Sequence, residues 1–444
     1  MIKNILTIVF SAVFCLVAGD SPAEEISAGQ IVNEVLEHSY RLKIAGEQVT
    51  AAEAVKKQAA AAAFPSLDLD GRAAHYWGLH ENTLGNFRIP AIPDRYGGGV
   101  MFSQPLYTGG KISGGKQMAD AERLSARASF AARRADIVYQ ALVAYWSWAK
   151  AFYAAESFRA STAWMEAHER DMRNLRGAGL ATENERLSTS VRLDQTRLRL
   201  EEALRYTLLC RAGIERLTGK TLPEAAFPVR PSCENQVSAG GEENLIQGAL
   251  ANRPDVRAMQ FALNAARKNI QIQSAGYFPQ LNANLRGEVA RPNPLNIPPE
   301  DEWQFDAFAG ISVSWNILDW GLTRAKANEA RARANQAGYQ LSQLNEQIAF
   351  EVRQALINLQ NAVTKARVSA HAEESAQLDL KAAADLWQNG LARHSDVLDA
   401  QARLTDAGFD QIAAAADIAL ARAELEHACG IAEAEAVERQ NERD

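Results

Sequence analysis

The sequence predicts an α+β protein built by internal duplication, with two amphipathic β-hairpins and two very long helical hairpins. Three observations predict it. No proline lies between Pro105 and Pro223, and none follows Pro299. These two stretches are rich in Ala, Leu, Gln, Glu and Arg, all strong helix formers. They far exceed a globular helix, which points to coiled-coil or repeat architecture. The halves of the chain also match each other. LRGAGLATENERL parallels LWQNGLARHSDVL, IERLTG parallels LEHACG, and the pairs Gly110–Gly321, Gly179–Gly390 and Gly219–Gly430 share one offset. A duplicated unit explains all three pairs together. Ahead of each long helix, apolar and polar residues alternate with the period of a strand.

The N-terminus reads MIKNILTIVFSAVFCLVAGDSPAEE, with Lys3 before an apolar run from Ile5 to Ala18 and the small residues of Ser21-Pro22-Ala23 after it. This is a secretory signal peptide over 1–23, and the mature chain is expected to begin near Glu24. The run is short of the roughly 20 residues a spanning helix needs. Phe14 stands before Cys15, where a lipoprotein would carry a small residue.

Each repeat then follows one order. The first, 24–220, has a helix over about 27–63, a β-hairpin over about 66–108, a long helix from Lys111, a break near Gly179 and a return helix ending at Gly219. After a linker at 221–241, the second, 242–432, has a helix over about 242–275, a hairpin over about 280–317, a break near Gly390 and an end at Gly430. Glycine suits the position just past a helix end. The tail 433–444 is charged and expected to be disordered.

The alternating stretches separate two faces. Leu281, Ala283, Leu285, Gly287 and Val289 point one way, and Asn282, Asn284, Arg286 and Glu288 the other. Phe305, Ala307, Ala309, Ile311, Val313 and Trp315 face one side, and Asp306, Ser312, Ser314 and Asn316 share the other with Phe308 and Gly310. Such strands suit a wall between lipid and water. Trp77, Phe87, Tyr96, Phe102, Tyr107, Trp303, Trp315 and Trp320 cluster near the ends of these stretches, as aromatic girdles do. Alternation alone fits a soluble sheet with one wet face equally well, so a soluble periplasmic coiled-coil scaffold is the alternative. Four strands cannot close a transmembrane barrel, which takes about eight. Lipid does not tolerate open edges, so the membrane reading requires strands shared between identical chains. The helix from Lys111 to Arg176 would reach roughly 100 Å.

Composition excludes other classes. With 47 Lys+Arg against 54 Asp+Glu and a net charge of −7, the chain lacks the basic balance of a nucleic-acid binder. Cys210, Cys233 and Cys429 are isolated, which supports neither a zinc site nor a disulfide framework. A Cys210–Cys233 bridge stays open in an oxidising compartment. The seven histidines are scattered and form no ligand set. No nucleophile triad or phosphate loop stands out, so neither enzyme, cofactor nor metal is expected.

The stretches ANRPDVRAMQ, SAGYFPQLNANLRG, SQPLYTGGK, VSWNILDWG and QNGLARHSDVLDAQ together resemble the TolC-like outer membrane factor family over essentially the whole mature chain. The resemblance implies a homotrimer. Each chain would give four strands to a twelve-stranded outer-membrane β-barrel, continuous with a long periplasmic α-helical coiled-coil barrel. It implies the passive exit duct of a tripartite efflux or type I secretion system. The implied partners are a periplasmic adaptor (membrane fusion protein), an inner-membrane transporter of RND, ABC or MFS type, and outer-membrane lipid.

Within that family the Gly-Leu breaks are turns at the periplasmic tip, so Gly179, Leu180, Gly390 and Leu391 become adaptor-contact positions. Asp396 and Asp399 match the family's acidic pair at the pore constriction, and three copies would set six carboxylates around one pore, favouring cations. Glu185, Asn184, Trp387 and Arg393 form the gate neighbourhood. Family members can use a tyrosine and an arginine where this chain has Trp387 and Ala392, so an Arg393–Glu185 link is the expected substitute. A local reading coexists with the gate: Ser395 as N-cap, both acids complementing the helix dipole, and Asp399 pairing with Arg403 at i,i+4.

Overall fold

The computed structural model describes residues 24–85, 87–232 and 241–431. The signal peptide, the Cys210–Cys233 bridge and the tail 433–444 lie outside these residues. Cys210 and Cys429 are free.

The first repeat contains β1 (Glu25–Ile26), α1 (Ala28–His38), α2 (Tyr40–Ala61), β2 (Ser66–His75), β3 (Asn82–Leu84), β4 (Phe87–Ile89), β5 (Asp94–Tyr107), α3 (Lys111–Gly177) and α4 (Glu183–Thr218). The second contains β6 (Phe227–Pro228), α5 (Glu242–Asn252), α6 (Pro254–Ser274), β7 (Gln280–Arg291), β8 (Gln304–Ser314), α7 (Leu322–Gln388) and α8 (His394–Cys429). The duplication holds in detail: α3 and α7 are each 67 residues long, and α4 and α8 each 36.

Two expectations change. The first helix of each repeat is two helices. Pro254 has no N–H to continue α5, and Arg253 before it is extended at ψ 127. Ser39 breaks the first pair at ψ 109, and its hydroxyl accepts from Leu42 N–H at 3.3 Å. The polar loop expected between β2 and β5 also holds the small antiparallel pair β3–β4.

The chain divides into two compact units that cut across the repeats, since α3 and α7 contribute to both. One unit contains an antiparallel sheet in the order β2–β5–β7–β8. The two hairpins are therefore one sheet, joined where β5 of the first repeat pairs with β7 of the second. Register sorts the side chains by face. Leu67, Phe102, Leu285 and Ala309 line up across the four strands, and so do Leu69, Val100, Gly287 and Ala307. This apolar face is bare: Leu69 is 84% exposed and Phe305 70%. On the other face Arg286 bridges Asp70 (2.9 Å) and Glu288 (3.0 Å), and Arg72 reaches Glu288 (2.6 Å). Asn284 joins Ser103 (3.2 Å) to Ser312 (3.0 Å) on the same side. Tyr96 and Trp303 lie 6.3 Å apart at one end of the sheet, while Trp315 donates to the Tyr277 carbonyl at the other.

The other unit has a helical core around Tyr145, Trp146 and Trp148 of α3, packed by Ile31, Val32 and Val35 of α1 and Ile214 of α4. The Tyr145 hydroxyl donates to the Ile26 carbonyl (2.9 Å) and accepts from Val229 N–H (3.0 Å). One phenol thereby fastens the parallel β1–β6 pair to α3. The ends of the helical hairpins that carry the candidate site belong to this unit.

Candidate functional site

Each long helix ends in the same hydrogen-bonded reversal. Leu180 N–H donates to the Leu175 carbonyl (2.8 Å) and Gly179 N–H to that of Arg176 (2.9 Å); Leu391 and Gly390 repeat these bonds to Leu386 and Trp387 (both 2.9 Å). This is a helix C-terminus closed by a left-handed residue. Gly179 and Gly390 occupy it at φ 76° and 72°, a region that costs a residue with a Cβ about 1–2 kcal/mol. The leucines after them stand out into solvent, Leu180 at 76% and Leu391 at 75% exposure.

Beyond each turn the return helix starts on an acid in its first turn. At α4, Glu185 accepts from Thr182 N–H and from its hydroxyl, both at 2.7 Å. At α8, Asp396 accepts from Arg393 N–H at 3.1 Å. Glu185 and Asp396 are equivalent positions of the two repeats, and both close orphan N–H groups. The Thr182 bonds, led by its backbone N–H, hold the Glu185 carboxyl below the usual range. The N-cap of α8 is thus Arg393 and not Ser395, whose hydroxyl donates to Asp396 at 3.3 Å.

Asp399 has a different role. It does not pair with Arg403, which reaches Asp379 on α7 (2.7 Å). It accepts instead from Arg192 of α4 at 3.1 Å. One heptad further, Arg199 of α4 meets Asp406 of α8 at 2.8 Å. Helical phase explains the switch: His394, Val397, Leu398, Gln401 and Thr405 form the buried stripe of α8. Asp399 lies off that stripe, within reach of α4.

Glu185 is held by Thr182, not by Arg393, whose side chain is exposed; Asn184 is exposed as well. Trp387 packs. Its ring lies 5.6 Å from that of His394 and 5.8 Å from that of His168 on α3. His168 and His394 stack on each other at 4.9 Å, and Trp164 stacks on His168, also at 4.9 Å. Two histidines read from the sequence as scattered are therefore neighbours, although among the described residues no group of three or more His, Cys, Asp or Glu side chains could hold a metal.

Sequence reasoning missed Arg192, Arg199 and His168. The arginines had a signal, since both they and their aspartate partners recur at heptad spacing. His168 had none, because the stack depends on the pairing of two hairpins.

This geometry has known counterparts. The chain is 25% identical over 394 residues to the cation efflux system protein CusC of Escherichia coli, covering 84% of this chain and 80% of that one. It is 24% identical over 366 residues to the outer membrane efflux protein BepC of Brucella suis, covering 77% and 74%. A membrane protein from Pseudomonas aeruginosa shares the fold at a TM-score of 0.79 and 20% identity, over 91% of this chain and 93% of that one. The family described as outer membrane efflux protein matches residues 31–220 and 245–431, one block per repeat. The soluble-scaffold alternative is thereby set aside, and the chain belongs to the outer membrane efflux proteins, a family of channels and not of enzymes.

Proposed function

We propose that three copies of this chain form the exit duct of a tripartite efflux or type I secretion system, closing twelve strands into one barrel and gating passage at the helical tips. One observation carries the reading. The sheet has an apolar face, a charged face and a free edge on both β2 and β8. Lipid satisfies the first, water the second, and only further copies of the chain the third. On α4, Leu187, Val191 and Leu198 follow coiled-coil spacing with their side chains exposed, a second seam for neighbouring copies. The duct has no energy source of its own. A periplasmic adaptor docks on the turns at Gly179-Leu180 and Gly390-Leu391, and an inner-membrane transporter of RND, ABC or MFS type drives export.

Asp396 and Asp399 divide the gate between them. Arg192 offsets the charge of Asp399, so Asp396 contributes most of the negative field at the constriction and Asp399 fastens α8 to α4. Single-channel recording in planar bilayers tests both assignments. Asp396→Asn is expected to lower cation over anion selectivity with little change in conductance. Asp399→Asn is expected to raise conductance with the smaller loss of selectivity. Equal effects of the two variants would refute the division, and absence of any channel from folded protein would count against the duct.

A further inference from the structure

We propose that the stack of Trp164, His168 and His394, with Trp387 packed against both imidazoles, is an acid-operated latch: the tip helices pack together while both imidazoles are neutral, and proton uptake by either one releases α8 from α3. That this release opens the duct rests on the gated-duct reading; the packing and its release do not.

Burial makes the stack sensitive to charge. His168 is 8% exposed and His394 3%. The rings lie face to face with 14° between their planes. Each has one ring nitrogen without a partner, Nε2 of His168 and Nδ1 of His394. The tautomer of His394 follows from its neighbour. The Thr189 hydroxyl donates to the Glu185 carbonyl at 2.8 Å, so His394 Nε2–H is the donor to that hydroxyl at 2.7 Å. Nδ1 is then a bare lone pair facing no donor. A proton added there makes a buried cation whose new N–H has no acceptor, a strongly unfavourable arrangement. A second proton on the stacked partner would set two like charges against each other. A shared metal ion does not fit, because the lone pairs of stacked rings lie in separate, nearly parallel planes.

The groups acting on the pair can be named element by element. On α3, Asp171 acts on His168 and favours its charged form, and on α4 Glu185 does the same for His394. Glu169 of α3 is already engaged by Arg173 at 2.8 Å. From α7 comes Trp387, which has no charge. Burial outweighs both carboxylates: it pushes His168 down to about 4, with His394 adding to the effect, and lowers His394 too.

The direction follows from linkage. A released tip, with its imidazoles in water, binds a proton near pH 6.5, whereas the packed tip does so only near pH 4. The packed state is therefore fully favoured above about pH 6.5 and loses ground as the pH falls toward 4. At pH 5.5 His168 alone shifts the balance toward release by about tenfold.

Hydrogen–deuterium exchange of the full-length protein in detergent, corrected for intrinsic rates, tests this at pH 7.5 and 5.5. The segments around 160–176 and 385–400 should exchange about tenfold faster at the lower pH. His168→Phe, which keeps a stacked ring but cannot take a proton, should reduce that difference to the part His394 supplies. Bilayer recordings should show the same split in open probability. Equal exchange at the two pH values, or an unchanged acid response in H168F, would overturn the latch. If H168F does not assemble, the C2-proton exchange of each histidine, read by mass spectrometry in the unaltered protein, decides instead. A His168 that titrates at or above 6.5 overturns the proposal, and one well below supports it. A latch that responds in exchange but not in conductance would fault the gate reading and leave the packing switch standing.

Discussion

Serine at both Arg192 and Arg199 is expected to raise open probability about tenfold. The two arginines meet Asp399 and Asp406 one heptad apart, so they form a single seam between α4 and α8. All four side chains are more than one-third exposed, so each bridge stabilises the seam by only about 0.2–1 kcal/mol. Two bridges in each of three proposed copies act on one pore, and their sum reaches a few kcal/mol if the copies open together. The charge swap Arg192→Asp with Asp399→Arg should restore the closed state in part, which separates the pair from general loosening. Molar salt should mimic the double substitution partially in the unaltered protein, because exposed pairs are screened at that ionic strength. Unchanged recordings from the double variant would mean that the seam is surface decoration.

Trp148→Ala is expected to be the most destabilising single substitution in the helical unit, at about 3–5 kcal/mol. The side chain is 1% exposed and stands edge-on to Tyr145 at 6.1 Å. Its removal leaves a cavity beside the phenol that secures β1 and β6, so the loss spreads to the N-terminal strand and the linker strand. Tyr145→Phe, which removes only the hydroxyl, should cost about 1–2 kcal/mol by leaving the Ile26 carbonyl and Val229 N–H unpaired. Thermal midpoints of the detergent-solubilised protein rank the two. A Trp148→Ala midpoint no lower than that of Tyr145→Phe would show that the core is not organised around the indole.

The repeat, the helical hairpins and the glycine reversals were legible because each rests on local rules. Gly179 and Gly390 announce a left-handed turn whatever surrounds them, and the long proline-free runs could hardly be anything but helix. The faces of β7 and β8 followed from alternation alone. The pairing of β5 with β7 was not legible, since alternation fixes faces and not neighbours. The candidate gate divided in the same way. The equivalence of Glu185 and Asp396 could be read from the repeat, and the structure gives them the same capping bond. Asp399 misled, because an arginine at i,i+4 is only one of several cations within reach of a helix surface, and α4 supplied a better-placed one. Ser395 misled for a similar reason: capping preference names a residue type, whereas the αL turn at Gly390 sets where the return helix begins. The His168–His394 stack lies beyond both kinds of rule, because it exists only when α3 and α8 pack.

The order β2–β5–β7–β8 leaves one free edge in each repeat, and these two edges run in opposite directions. The β2 of one copy can therefore continue the alternation begun by the β8 of another, head to tail. Each addition consumes two edges and leaves two open, so no incomplete set of copies is saturated. Only the step that closes the ring leaves nothing adhesive, and until then the backbone groups along the edges bar the sheet from hydrocarbon. For the proposed duct, ring closure and membrane entry are in this sense a single event. A chain truncated before β8 would cap a growing set without closing it, and a minority of such chains would poison assembly of the intact majority.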